Sequence, residues 1–214
     1  MGDRCFFYAR CKIKKYDDLI KKYSLLYRVP APLIKAMVRK ESNGDPDAES
    51  SAGAIGLMQI LPRTANPWLL SKADLYEPAK NIGFGVFYVR LQFNHFSEIP
   101  DPVERWKFAL ASYNGGRGYV NRALQLARKF EDRTIDQAGD WQVWTFAKEF
   151  LKRKQCTVFG RRPDWRQIVD YVYTVITWSN VAADTLLLAE GPKMELRLED
   201  SPGPRRGGIR CRNK

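Results

Sequence analysis

The sequence predicts a mainly α-helical protein, and three observations support that prediction. Apolar residues recur at i, i+3, i+4 and i+7 in most segments of the 214-residue chain. Alternating patterns typical of β-strands are scarce. A hydrophobic content of 44%, with 13% aromatic residues, suits one domain with a substantial core.

Helices are predicted, in chain order, at residues 12–28, 31–41, 63–68, 78–96, 102–113, 116–130, 141–152 and 164–188. The segment ESSAGAIGLMQI interrupts them after the second helix, and its glycines allow tight turns. From residue 191 the composition shifts to glycine, proline and charge. We therefore expect a domain at residues 1–190 and a flexible basic tail at residues 191–214.

The second predicted helix ends with a carboxylate on its apolar face. In LIKAMVRKESNGDP, residues 33–46, helical spacing places these residues on one side: Leu33, Ile34, Met37, Val38 and Glu41. Pro30 and Pro32 can start the helix, and Asn43-Gly44 can end it. Glu41 therefore belongs to the last turn and points toward the interior.

Two effects would raise the pKa of Glu41 at this position. Partial burial disfavours the carboxylate, and the negative end of the helix dipole repels it. The alternative is an ion pair between Glu41 and Arg39 or a neighbouring lysine. The stretch by itself leaves both interpretations open.

The formal net charge of +12 predicts attraction to a polyanion. Nucleic acid, an acidic membrane face and anionic envelope polymers all satisfy that condition. The sequence contains no helix-turn-helix, zinc or RNA-binding motif, so specific binding of nucleic acid is not expected.

The metal-ligating residues are few and scattered. Cys5, Cys11, Cys156 and Cys211 form no CxxC pair, and His95 is the single histidine. We expect no metal and no organic cofactor, and His95 is predicted to lie at an exposed helix end. The redox state of the cysteines stays open.

The amino-terminal stretch has only a short apolar run and no small-residue cleavage site, so no signal peptide is predicted. No stretch reaches the roughly 20 apolar residues that a membrane-crossing helix needs, so no transmembrane segment is predicted either.

Four blocks of sequence follow one another in an order typical of one enzyme family. They are Glu41-Ser42, the tetrapeptide GLMQ at 56–59, the run NIGFGVFYVRL at 81–91, and ALASYNGGRGYVNRAL with Tyr113-Asn114. In this order the chain resembles the lytic transglycosylases of the soluble-transglycosylase (SLT) type, which cleave bacterial peptidoglycan. The resemblance is strongest over residues 23–130, and RWKFALASYNGG is most similar to phage-encoded members.

The resemblance implies a lysozyme-like fold and a role for each matched residue. Glu41 is implied as the catalytic acid and base, with Ser42 helping to orient it. Gln59 is implied to contact the acetamido group of a sugar. Tyr113 is implied to hydrogen-bond Glu41, and Asn114 to bind the substrate.

A further tyrosine over the glutamate is typical of the family, and Tyr171 in RQIVDYVYTV is the match. Gln167 and Ile168 stand where the family usually has Glu-Thr, and Tyr173 competes for the same role. The resemblance thus implies a substrate-binding set of Ser42, Gln59, Tyr113, Asn114 and Tyr171 around Glu41.

Glycoside hydrolases normally add a second carboxylate to the acid. Asp45, Asp47 and Glu49 lie just past Glu41, but their polar turn favours solvated side chains. The resemblance implies instead that the substrate's N-acetyl group assists cleavage and that Glu41 then deprotonates the muramic 6-hydroxyl, giving a 1,6-anhydromuramoyl end. A hydrolytic muramidase, or a non-catalytic wall-binding or virion structural module, is the alternative.

The expected partner is therefore the glycan strand of peptidoglycan, in the cell wall (periplasm). Without a signal peptide, a phage lysis enzyme or a virion-associated protein is the expected source. The basic tail is a candidate contact for anionic envelope polymers. Trp141, Trp144 and Trp165 could stack on sugars, but helical spacing of the first two favours core packing.

Overall fold

The structure is a computed structural model that describes residues 12–131 and 140–180. These residues form α-helices joined by turns and short 3₁₀ helices, with isolated β-bridges and no β-strand among them. The α-helices are α1 (Asp17–Tyr27), α2 (Ala31–Ser42), α3 (Pro62–Ala65), α4 (Pro78–His95), α5 (Pro102–Gly115), α6 (Arg117–Glu131), α7 (Trp144–Ala147) and α8 (Trp165–Ser179). The 3₁₀ helices are Asn66–Trp68, Ala73–Tyr76, Asp140–Gln142 and Lys148–Lys152.

Local sequence fixes where these helices begin and end. Proline occupies the first turn of α2, α3, α4 and α5, where its missing N–H costs no hydrogen bond. The Asp101 carboxylate caps α5 by accepting from the backbone N–H groups of Val103 and Glu104 at 2.7 and 3.0 Å. Asn43 follows α2 in the left-handed conformation at φ 54°, which ends that helix as predicted.

Three predicted boundaries are wrong. The helix predicted from residue 12 has its long α-helical segment at Asp17–Tyr27. The helix predicted at 141–152 is broken into three short pieces, because Val143 is extended and the Trp144 N–H donates to the Glu104 carboxylate at 2.7 Å. The last helix ends at Ser179, since Asn180 is left-handed, and residues 181–188 lie outside the described residues.

The core forms where α4 packs against α1 and α5, and where α8 packs against both α2 and α5. Trp106 is fully buried, and its ring lies 4.3 Å from that of Phe93 between their centroids. Burial of such a side chain contributes on the order of 2 kcal/mol or more to stability. The packing of α8 on α2 and α5 brings three distant parts of the chain together around the end of α2.

The side chains outside the site largely behave as their patterns predict. Trp144 is buried edge-on against Phe108, and Trp141 packs on the core beneath the Arg128 guanidinium at 3.9 Å. His95 is exposed at the last position of α4.

The cysteine and tail predictions are only partly within the described residues. Cys156 is a buried free thiol, whereas Cys5, Cys11 and Cys211 lie outside the described residues. The predicted tail at 191–214 also lies outside them. Across residues 12–131 and 140–180 no helix is long and apolar enough to cross a membrane, and no cluster of residues could hold a metal ion.

Candidate active site

The loop that carries GLMQ is held by one buried amide from α4. The Asn81 Nδ2 donates to the carbonyls of Ile55 and Leu75 at 2.9 and 2.7 Å, and its Oδ1 accepts from the Met58 N–H at 2.8 Å. Asn81 is 1% exposed, so its amide supplies the hydrogen bonds that water cannot make to the buried backbone groups of the loop. The loop is therefore fixed to α4 through its backbone.

Two glycines permit this close approach. Gly56 has a φ of 75°, and a Cβ there would collide with the Asn81 amide. One turn further along α4, a Cβ on Gly85 would collide with the Met58 sulfur. Glycine at both positions lets the Asn81 side chain lie against the loop backbone and the Met58 side chain lie against the backbone of α4.

The loop, the end of α2 and the end of α5 enclose a cleft of about 440 Å³. Glu41 comes from α2, Gln59 and Ile60 from the loop, and Tyr113 and Asn114 from α5. Further lining residues include Arg63, Tyr88, Ser112 and Gln167. Among the described lining residues Glu41 is the only carboxylate.

Burial raises the pKa of Glu41 from an ordinary value of 4.5 to about 7. The Tyr171 hydroxyl and the Lys40 charge each lower this pKa, but they offset the effect of burial only in part. The alternative of an ion pair is wrong. The Lys40 ammonium pairs with Asp170 at 2.7 Å, and the Arg39 guanidinium lies over the Trp178 ring at 4.2 Å. Glu41 forms no ion pair with any described residue, and with a pKa of about 7 its carboxyl is partly protonated near neutral pH.

Tyr171, rather than Tyr173, is the tyrosine beside Glu41. Tyr171 on α8 is 2% exposed, and Tyr173 is 71% exposed. The Tyr171 hydroxyl lies close enough to Glu41 to lower its pKa, although no bond of good geometry forms and the hydroxyl finds no other protein partner among the described residues. Burial and the Glu41 charge hold the pKa of Tyr171 well above its usual value.

Two residues near the start of α8 divide between the cleft and the core. Gln167 lines the cleft, and Ile168 packs into the space that Gly115 leaves, where a Cβ would collide with it. The departure from Glu-Thr at these positions therefore places an amide at the cleft wall and an apolar residue in the α5–α8 contact.

The predicted hydrogen bond from Tyr113 to Glu41 is wrong. The Tyr113 hydroxyl donates to the Met58 carbonyl at 2.8 Å and so joins α5 to the loop. Burial and the Glu41 charge raise the pKa of Tyr113 well above its usual value, which keeps the phenol neutral. Next to it, Asn114 lines the cleft with a buried Oδ1 that accepts no hydrogen bond from the described part of the chain.

Ser42 does not reach the cleft. Its hydroxyl donates to the Leu57 carbonyl at 2.9 Å and accepts from the Gly44 N–H at 3.2 Å. Ser42 is thus not among the residues that line the cleft, where its predicted substrate contact would form. Ser42 ties the end of α2 to the loop, which fixes Glu41 relative to Gln59 through the backbone.

The side-chain amide of Gln59 uses its nitrogen in hydrogen bonds to the loop, whereas its oxygen accepts none from the described residues. Its Nε2 donates to the carbonyls of Ala48 and Gly56 at 3.0 and 3.1 Å, and its backbone is left-handed at φ 48°. Its Oε1 accepts no hydrogen bond from any described residue. An acceptor of fixed direction is therefore presented at the cleft wall.

Sequence reasoning did not assign site roles to Asn81, Tyr88 and Gln167. Asn81 could have been found as the lone amide in the apolar run NIGFGVFYV. The family's Glu-Thr positions mark Gln167 and Ile168 in the sequence, but which of the two reaches the cleft depends on the packing of α8 on α2 and α5.

The nearby acidic residues lie away from the cleft. Asp45, Asp47 and Glu49 are exposed, as predicted. The Glu49 carboxylate accepts from the Tyr76 hydroxyl at 2.7 Å and from Lys72 at 3.1 Å. The described residues thus offer Glu41 no second carboxylate partner across the cleft.

Comparisons with known proteins agree with this architecture. The sequence profile described as "Transglycosylase SLT domain" matches residues 18–135. The chain is 32% identical over 147 residues to the membrane-bound lytic murein transglycosylase C of Haemophilus ducreyi, covering 64% of this chain and 40% of that protein. It is 36% identical over 140 residues to the membrane-bound lytic murein transglycosylase F of Desulfosudis oleivorans, covering 65% and 29%.

A solved structure shares the fold. The 70-kDa soluble lytic transglycosylase of Escherichia coli superimposes with a TM-score of 0.53 and 26% identity, covering 77% of this chain and 23% of that one. The chain therefore spans well under half the length of these relatives. Because the profile matches more than half of its sequence and the fold agrees, the chain belongs to the transglycosylase SLT domain family.

Proposed function

We propose that the protein is a lytic transglycosylase that cleaves the β-1,4 bond between N-acetylmuramic acid and N-acetylglucosamine in peptidoglycan. The observation that carries the proposal is Glu41, whose pKa is raised to about 7 and which is the single carboxyl among the described residues that line the cleft. Relatives named as lytic murein transglycosylases support the choice of substrate.

Glu41 acts first as an acid. Its protonated carboxyl gives a proton to the bridging oxygen as the bond to C1 of the muramic residue breaks, so the leaving sugar departs as a neutral alcohol. The acetamido carbonyl oxygen of the same muramic residue attacks C1 and forms a cyclic oxazolinium. The open Oε1 of Gln59 is placed to accept the N–H of that acetamido group and to stabilise its positive charge.

Glu41 then acts as a base. Its carboxylate takes the proton of the muramic 6-hydroxyl, O6 attacks C1, and the bond from C1 to the acetamido oxygen breaks. The product is a 1,6-anhydromuramoyl end, and Glu41 is again protonated without consumption of water. Asn114 is proposed to position the substrate through its Oδ1, which has no partner among the described residues. Tyr171 is proposed to position the Glu41 carboxyl beside it.

The experiment that tests this proposal is mass spectrometry of digested peptidoglycan. A transglycosylase gives disaccharide-peptides that are lighter by one water than those of a hydrolase, because ring closure replaces water addition. Reducing-end products alone would show a hydrolytic muramidase instead. No release of fragments by folded protein would favour a non-catalytic wall-binding or virion module.

The proposed place of action is the cell wall. Relatives are named as membrane-bound, and the described part of this chain has no helix that could span a membrane. Delivery as a phage lysis enzyme or virion-associated protein, and attachment to anionic polymers through the basic tail, stay proposals that rest on the sequence.

A further inference from the structure

A tight hairpin at residues 156–162, which we call the Phe159 hairpin, lies outside the part of the chain that matches the family profile. Val158 and Arg161 exchange both backbone hydrogen bonds, at 2.9 and 3.0 Å, around Phe159 and Gly160. Both central residues are left-handed, with φ of 49° and 75°. Such two-residue turns are normally built from Asn, Asp and Gly, which tolerate this conformation.

Phenylalanine is a poor residue for this position. A side chain with a Cβ is disfavoured in the left-handed region, and Phe159 is fully exposed, so no burial offsets the strain. Strained residues concentrate at sites that bind ligands. The hairpin therefore holds an apolar ring in water in a way that local stability does not explain.

The sequence on either side of Phe159 is strongly basic. Residues 152–166 contain six cations, Lys152, Arg153, Lys154, Arg161, Arg162 and Arg166, against one carboxylate, Asp164. Asp164 is engaged as the cap of α8. Lys154 and Arg161 form no ion pair with any described residue, so their charges are open to an anion from solution.

The hairpin lies beside one end of the cleft. A Cβ built on Gly118 would lie 3.4 Å from the Val158 side chain, so the hairpin rests on the first turn of α6. Gly116, two residues earlier, lines the cleft. Burial raises the pKa of Tyr88, another cleft residue, and the charge of exposed Arg117 partly opposes this rise, which places the cation near the rim.

We propose that the Phe159 hairpin extends the substrate site and binds the peptide stems of the strand whose sugars occupy the cleft; this inference rests on the proposed function. In the intact strand each muramic lactyl group is amidated by its stem, so the sugars carry no net charge, whereas the stems carry free carboxylates. The planar Arg161 guanidinium can donate two parallel hydrogen bonds to a stem carboxylate. The Phe159 ring packs on the apolar methyl groups of the stem. Occupancy of the cleft brings the stems to the hairpin.

The test measures binding of soluble glycan strands with intact stems, and of the same strands after an amidase has removed the stems and left one lactyl carboxylate on each muramic residue. All variants are made in a Glu41→Gln background so that no turnover occurs. The hairpin variants are Phe159→Asn and Arg161→Gln, singly and together. The controls are Leu25→Ala, which removes an exposed apolar side chain elsewhere, and Lys129→Gln, which removes an exposed charge elsewhere.

The double variant should bind stem-bearing strands on the order of tenfold more weakly, with stem-free strands and both controls unchanged. Phe159→Asn should leave the melting temperature unchanged or raise it, because asparagine tolerates the left-handed backbone. Those two readouts together separate loss of a ligand contact from loss of folding.

Equal weakening on both kinds of strand, or no weakening on either, would overturn the inference. So would unchanged strand binding together with lost binding to vesicles of anionic phospholipid, which would make the hairpin a membrane contact. Failure of the proposed function shows up separately, as the absence of anhydromuramoyl products from the protein with Glu41 intact.

Discussion

At the scale of single residues, the proposed chemistry depends on the Glu41 carboxyl and on the pKa that burial gives it. Glu41→Gln keeps the shape of the side chain and removes the transferable proton. We expect turnover of peptidoglycan to fall on the order of 10² to 10⁴-fold while folding is retained. Measuring turnover and thermal unfolding on one preparation checks this, and retained activity in the amide variant would exclude Glu41 as the acid.

The same substitution should stabilise the protein at high pH. The folded-state pKa of about 7 lies above the ordinary value of 4.5, so the unfolded chain loses this proton first and stability falls as pH rises through that interval. The amide variant avoids this cost. Relative to the parent it should be equally stable at pH 4 and more stable at pH 8 by up to about 3 kcal/mol, measured by denaturant unfolding at both values.

The pH profile of turnover gives a further prediction at this scale. Because the first step needs protonated Glu41, kcat/KM should decline above pH of about 7. Tyr171→Phe removes a group that lowers the pKa of Glu41, so the alkaline limb should move to higher pH. An unmoved limb, with only a uniform loss of rate, would show that Tyr171 acts on the substrate or on packing instead.

At the scale of elements, the site depends on how α4 holds the GLMQ loop. Asn81→Ala removes three hydrogen bonds and leaves the Ile55 and Leu75 carbonyls and the Met58 N–H buried without partners. We expect a loss of roughly 3 kcal/mol in the free energy of unfolding and a reduced kcat, because Gln59 follows Met58 directly.

The matched control for this element is Asn121→Ala. Asn121 also lies in a helix, α6, but its amide makes only a long contact, 3.4 Å, to the exposed His95 ring. Its removal should cost under about 0.5 kcal/mol and leave kcat unchanged. Equal effects at both positions would mean that the amide of Asn81 does not position the loop.

At the scale of the whole molecule, the net charge of +12 should govern binding to the wall. Deleting residues 191–214, which include Arg205, Arg206, Arg210 and Arg212, is expected to weaken binding to intact cell walls at low salt and to spare turnover of soluble fragments. Co-sedimentation with walls across a salt series measures the first, and fragment release the second. Equal loss on both would show that the tail contributes to the folded domain.

The elements with strong local causes could be predicted from the sequence. Proline starts, the asparagine after α2 and helical spacing predicted the main helices and the place of Glu41 in a last turn. Motif order predicted the family, which the profile match and the shared fold confirm. The single helix predicted at residues 141–152 is wrong, because the Glu104 carboxylate that accepts the Trp144 N–H lies 40 positions away in the sequence. Local periodicity cannot reveal such a contact.

The ionisation of Glu41 and the choice of the tyrosine beside it depend on tertiary packing. Whether a carboxyl at a helix end is paired or desolvated depends on packing between α2, α5 and α8, which places Lys40 against Asp170 and leaves Glu41 desolvated with no ion pair to any described residue. The same packing buries Tyr171, exposes Tyr173 and directs the Tyr113 hydroxyl to Met58. Such outcomes arise from contacts between residues far apart in the chain, and no spacing rule within one helix encodes them.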